Sequence, residues 1–250
     1  RTITAELADS PQAAPWALNL VMHRSNPRRH DDLQLATKYR APIVITALGS
    51  PSEAVEAVHA YGGKLYADVT TIEFARRAAE AGVDGLALVC AGAGGHTGQL
   101  SPFAFVDEVR QFFKGEIILS GAIGNGRAIR AAQILGADYV YMGTRFIPTE
   151  ESLAQDDYKA MVVEASGSDI VTSDSITGVK ANWLKGSLIK GGYDIDRMPP
   201  PGAINFLEAA SDVKRWRDVW AAGQSVGSSA SLQTIAEVVE QLDQEYRGCL

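Results

Sequence analysis

Six short apolar runs, each leading into a stretch of helical periodicity, constrain the fold of this chain more than any other feature. They cover residues 16–21, 42–48, 64–69, 85–90, 116–120 and 139–142 and are rich in Val, Ile, Leu and aromatic residues. Runs of that length and composition read as strands. Their nearly continuous apolar character marks strands buried on both faces of a parallel sheet. Helix signals lie between them. Ser50-Pro51-Ser52-Glu53 opens one helix, since Ser, an early Pro and an early Glu suit a helix N-terminus. Others span 71–81 and 125–135, stopped by Gly82 and Gly136, and a further one runs from near Glu150 to near Ser166. A strand and helix repeating every ~20–30 residues is a βα unit. Six such units fit a doubly wound sheet, whereas a closed barrel needs eight strands.

The rest of the chain is of another kind. Residues 167 to about 202 hold Gly186, Gly191, Gly192 and Pro199-Pro200-Pro201, too irregular for a further βα unit. A mostly helical end is expected over 203–246, with Trp216 and Trp220 four apart on one helix face and packed into the core. The organisation to expect is an α/β body over residues 1–166 with a C-terminal extension over 167–250.

Composition excludes several classes of function. The 250 residues are 46% hydrophobic and 21% charged, ordinary values for a globular protein rather than a disordered one. A net charge of −7 argues against nucleic-acid or anionic-membrane partners, which need clustered Lys and Arg. No apolar run approaches the ~18 residues of a membrane span. Cys90 and Cys249 cannot build a disulfide framework or a Cys-rich zinc site, and a reducing, cytoplasmic setting is the expectation. The chain opens on Arg1 with no signal-peptide pattern behind it, which leads one to expect processing or a missing beginning.

Three turns at strand ends, where sites form in α/β folds, carry the chemistry. The first is CAGAGGHTGQ over 90–99. Its glycines let the backbone approach a ligand closely. His96 among them has no apolar face to pack on and suits acid–base work. No Cys or carboxylate stands at metal-ligand spacing, so no metal is expected. The second turn is SGAIGNG over 120–126, which opens a helix. It reads as a phosphate site or as a plain βα turn. The third is MGTRF over 142–146. Two consecutive Gly-based turns match the phosphate site that many barrels build after strands seven and eight. On that count the visible units are strands three to eight, and two units are absent before Arg1.

With these motifs in hand, the sequence resembles the nitronate monooxygenase family, the 2-nitropropane dioxygenase-like flavoproteins. The most specific stretches are AGAGGHTG, LSGAIGNGRAIRAAQILGAD and YMGTRFIPTEES. The resemblance implies a (β/α)8 TIM barrel that binds FMN, its first two βα units absent here, with a helical C-terminal segment packed over the site. It implies that Gly121, Ala122, Gly143 and Thr144 cradle the phosphate with Ser120 beside them. By the same likeness Asn19 faces the flavin, Gly94 and Gly95 approach its ring system, and His96 falls on the catalytic histidine. One position departs: where some members place a Lys near the flavin pyrimidine, this chain has Asp68. A carboxylate there disfavours an anionic reduced flavin unless it is protonated or paired. Asp68 either positions a ligand or a neighbouring backbone, or caps the helix that begins at Thr71.

The function implied is an FMN-dependent oxidoreductase that oxidises alkyl nitronates with O2. An NAD(P)H-dependent FMN reductase of an enoyl thioester, CoA thioester or quinone is the alternative, with NAD(P)H as electron donor. A flavin-free, phosphate-binding isomerase or lyase is a third reading. The partner to expect is a small-molecule substrate, with a homodimer left open.

Overall fold

The computed structural model describes residues 2–10, 12–202, 204 and 216–249. After a short helix α1 (Thr2–Leu7), six strands form one parallel sheet. They are β1 (Ala17–Val21), β2 (Ile43–Ala47), β3 (Lys64–Val69), β4 (Gly85–Val89), β6 (Glu116–Ser120) and β7 (Tyr139–Tyr141). The two-residue strand β5 (Gly95–His96) lies between β4 and β6 in the chain but outside this sheet. Every expected strand is present, within two residues of its expected ends.

The order along the sheet is β1-β2-β3-β4-β6-β7, all parallel and without reversal. A doubly wound sheet reverses its order and carries helices on both faces; this one does neither. Helices α2 (Arg29–Lys38), α3 (Ser52–His59), α4 (Ile72–Glu80), α5 (Pro102–Arg110) and α6 (Gly126–Leu135) follow the strands in turn. Their buried residues, among them Ala54, Val58, Ala75, Phe105, Val106 and Ala132, join one core with Leu20, Val44, Leu65, Leu86, Ile117 and Leu119 of the strands. The opposite strand face packs separately, through Ile45, Tyr66, Ala87 and Ile118, with Ile43 and Tyr141 against them. Alternate residues of each strand thus serve an outer, helix-covered layer and an inner layer of their own, the section of a barrel wall.

Local chemistry sets the helix starts. The Thr71 side chain accepts from the Phe74 amide at 3.2 Å and caps α4. Asp68 is therefore not the cap, and that reading is overturned. Asn125 caps α6 by accepting from the Ala128 amide at 2.9 Å. The helix expected from Glu150 begins later, as α7 (Asp156–Glu164), because a 3-10 turn (Thr144–Phe146) and a bridge between Thr149 and Gln233 occupy the approach.

The C-terminal expectations need more correction. The stretch taken as irregular forms an antiparallel pair, β8 (Ile170–Ser173) and β9 (Ala181–Leu184), then a short helix α8 (Lys185–Lys190). β5 joins the other side of β9, making a three-stranded ribbon. Among the described residues the end is not mostly helical: those from 216 to 234 are turns, isolated bridges and one 3-10 segment, and α9 (Ile235–Arg247) is the long helix there. Most of 203–215 lies outside the described residues. Trp216 and Trp220 share no helix face, since Trp216 sits in a turn with φ of 68°. Trp220 is buried as expected, but Trp216 is 44% exposed. Among the described residues no helix is long and apolar enough to cross a membrane.

Candidate active site

The carboxyl ends of β4, β6 and β7 open into a cavity of about 440 Å³. Gly92–Gly95 after β4, Ser120–Ile123 from the last residue of β6 onward and Tyr141–Thr144 from the last residue of β7 onward lie along its wall. The three glycine-containing turns singled out in the sequence thus meet in one place. Gly94, Gly95, Ser120, Gly121, Ala122, Gly143 and Thr144 all line it. Asn19, Asp68 and His96 do not belong to its lining.

Backbone, not side chains, shapes this wall. Gly121 has φ of 123° and Ala122 φ of 56°, so two successive residues are left-handed. A Cβ at Gly121 would lie 2.9 Å from the Ala91 carbonyl oxygen. The turn is held by Ala122 and Gln224 amides, which both donate to the Gly92 carbonyl, at 3.2 and 2.9 Å. Gly94 is tighter still: a Cβ there would lie 2.8 Å from the Gly223 nitrogen and 3.0 Å from Thr144 Oγ1. The Gly223 amide donates to Thr144 Oγ1 at 2.8 Å. At Gly143 a Cβ would meet nothing within 4 Å, so its backbone stands open. Thr144 begins a 3-10 turn, whose first N–H groups have no intrahelical partner.

Residues with no motif of their own complete the cavity. Tyr141 lines it from β7, Tyr158 from α7, and Ala221, Gly223 and Ser225 from the C-terminal part. Tyr158 donates to the Ala221 carbonyl at 2.5 Å and stacks on Trp220 at 5.0 Å. Burial pushes the Tyr158 hydroxyl up to about 12, and raises Tyr141 with help from the nearby Asp68 charge. Both phenols stay protonated at neutral pH. The only sequence signal for the C-terminal contribution was Ala221-Ala222-Gly223, small residues next to a Trp.

His96 is fixed rather than loose. It pairs with Ala181, and Gly95 with Asn182, across the β5–β9 ladder. Asn182 Nδ2 donates to the Ala93 carbonyl at 2.8 Å, which ties the glycine turn to the ribbon. His96 Nε2 is buried and has no hydrogen-bond partner among the described residues. Burial lowers its pKa, leaving a neutral imidazole able to accept a proton at neutral pH.

Asp68 sits on β3, its Oδ1 buried and without a hydrogen-bond partner among the described residues. Burial pushes its carboxyl up to about 7, and the Asn19 side chain pulls it the other way. Asn19 and Asp68 are thus neighbours. Tyr141, close enough to feel the Asp68 charge, connects the pair to the cavity. Cys90 is fully buried, with its thiol pushed up to about 12 by burial, so it is a packing residue and no thiolate.

Comparison with known proteins follows the same outline. The nitronate monooxygenase family description matches residues 12–245. The Mycobacterium tuberculosis protein Rv1533 is 33% identical over 215 residues, covering 84% of this chain and 57% of that protein. Nitronate monooxygenase of Neurospora crassa is 28% identical over 223 residues, covering 80% of this chain and 58% of its own length. The chain thus spans somewhat under three fifths of the length of these two curated relatives. Among solved structures, an M276A mutant of FabK from Thermotoga maritima superposes with a TM-score of 0.78 at 26% identity, covering 99% of this chain and 79% of that one.

Proposed function

The chain belongs to the nitronate monooxygenase family, and from that premise we propose that it is an FMN-dependent oxidoreductase that oxidises alkyl nitronates with O2. The observation that carries this reading is the cavity where three strand ends converge, walled by backbone at Gly94, Gly121, Ala122 and Gly143. Its volume lies within the range of small-molecule sites, about 300–1,000 Å³. Small residues leave room for a flat ring system, and two adjacent turns offer backbone N–H groups to a single phosphate. The residues present fit FMN on both counts. We assign the six parallel strands to strands three to eight of a (β/α)8 barrel, which makes these the turns after strands seven and eight. We likewise read residues 1–166 as the FMN-binding barrel and 167–250 as an extension packed beside its active site.

FMN would supply the electron-accepting chemistry when bound. The chain's own groups do the rest. Gly121, Ala122, Gly143 and Thr144, with Ser120 beside them, hold the phosphate. Gly94 and Gly95 let the backbone approach the rings, and Asn19 and Asp68 face them from β1 and β3. His96, neutral and fixed on β5, accepts the proton of a neutral nitroalkane; a nitronate, already deprotonated, needs it only for orientation. The protonated phenols of Tyr141 and Tyr158 keep added negative charge off the cavity wall.

The test is an absorption spectrum of the purified chain supplied with FMN, then anaerobic titration with an alkyl nitronate, NADH and NADPH. Bleaching by the nitronate alone supports the reading. Bleaching by NAD(P)H alone replaces it with a reductase, and failure to hold FMN favours a flavin-free phosphate-binding enzyme.

A further inference from the structure

Next to His96 the fold assembles two indoles that none of the steps above uses. Trp183 of β9 is fully buried. Trp216 stacks on it, with ring centroids 4.6 Å apart and planes at 29°. Trp216 also stands edge-on to the His96 ring, at 5.3 Å and 88°. A Cβ at Gly95, which lines the cavity, would lie 3.6 Å from the Trp216 indole. The ring therefore borders both the cavity rim and the histidine.

Two features separate Trp216 from an ordinary packing residue. It is 44% exposed although Trp183 and His96 both lie against it. Its backbone is left-handed, φ 68°, a conformation rare and strained for a bulky residue. Strain of this kind persists where surrounding structure holds it, and it gathers at ligand sites. Beside it, His96 Nε2 is buried without a hydrogen-bond partner among the described residues. An unmet buried nitrogen is costly and fits a site that a ligand completes.

We propose that Trp216, backed by Trp183, forms the wall of a substrate subsite beside His96 that takes a flat aromatic or conjugated carbon group. The favoured nitronate or nitroalkane then carries an aryl substituent rather than a short alkyl one. The identity of the reacting group rests on the oxidoreductase reading above; the ring preference does not. An indole already stacked on a buried neighbour loses little freedom on binding. It offers an aromatic ring a stacking partner that a short alkyl group cannot use. Stacking together with the apolar area covered favours the aryl group about 10-fold.

Isothermal titration calorimetry of the purified chain with benzoate and acetate tests this, since each presents a flat O–C–O anion like the nitronate end. Benzoate should bind about 10-fold tighter than acetate. In Trp216→Gly the preference should fall to about 3-fold or less, and glycine accepts the backbone angle, so the fold is not at stake. Trp216→Phe should keep most of it. The ratio of kcat/KM for the phenylnitromethane and ethyl nitronates should fall in parallel, chiefly through KM. Equal binding of the two anions, no binding of either, or a preference unchanged in Trp216→Gly overturns the subsite. An intact binding preference without turnover of either nitronate removes the nitronate reading and leaves the subsite standing.

Discussion

Replacing Asp68 by Asn should make the protein more stable at alkaline pH. Burial holds the Asp68 carboxyl at about 7 in the folded chain, against 3.8 for the free group. The folded state therefore keeps a proton that the unfolded chain has released. Between about pH 4 and pH 7 the native state binds more protons, so this group's contribution to stability falls as pH rises and is lowest above 7. A rise from 3.8 to about 7 corresponds to ~4 kcal/mol. Partial solvent contact of the residue reduces that to about 1–3 kcal/mol. Asn is nearly isosteric and has nothing to ionise. Urea unfolding of the FMN-free protein and of Asp68→Asn at pH 5 and pH 8 reads the difference directly. The variant should gain on the wild type by about 1–3 kcal/mol between the two pH values. A gap that stays constant with pH, or a variant less stable at pH 8, would refute the reasoning; Asp68 would then be ionised in the fold and paired with a cation.

Other outcomes follow from the same geometry. His96→Ala should retain FMN, because the phosphate turns lie on other strands, while turnover of a neutral nitroalkane drops by about 10²–10⁴-fold and that of a preformed nitronate by less; flavin content and steady-state rates on one sample check both. Since burial lowers the His96 pKa, the acid limb of the nitroalkane pH–rate profile should lie below the free-imidazole value of 6.5, and a limb above it contradicts the assignment. Gly94→Ala forces the Gly223 amide away from Thr144 Oγ1, so FMN affinity should fall at least ~10-fold and stability by about 1–3 kcal/mol, measured by fluorescence titration and thermal melts. Thr71→Ala should cost about 0.5–2 kcal/mol through the lost α4 cap, a value near zero in urea melts meaning that the cap is dispensable.

The sheet and the glycine-rich turns at its strand ends were legible in the sequence because their causes are local. Strands buried on both faces must be apolar along their buried length, and residues 85–90 or 117–119 can be little else. Turns that let a ligand approach the backbone need small residues, so Gly94, Gly121 and Gly143 stand out, and the cavity indeed gathers them. Periodicity could not say on which face the helices lie. That was decided by the packing of α2–α6 onto Leu20, Val44, Leu65, Leu86 and Leu119 alone. Nor could spacing distinguish Thr71 from Asp68 as the α4 cap, since both stand just ahead of the helix and only backbone geometry selects between them. The C-terminal part escaped the sequence most completely. β8 and β9 are four residues each and are stabilised by pairing with each other and with Gly95–His96, a segment more than 70 residues earlier in the chain. Trp216 and Trp220 have helical spacing but no helix, because each ring is placed by a distant partner: Trp183 for the first and Tyr158 for the second. Local propensity fixes elements whose neighbours are near in sequence; contacts that close long loops exist only once the fold has brought them together.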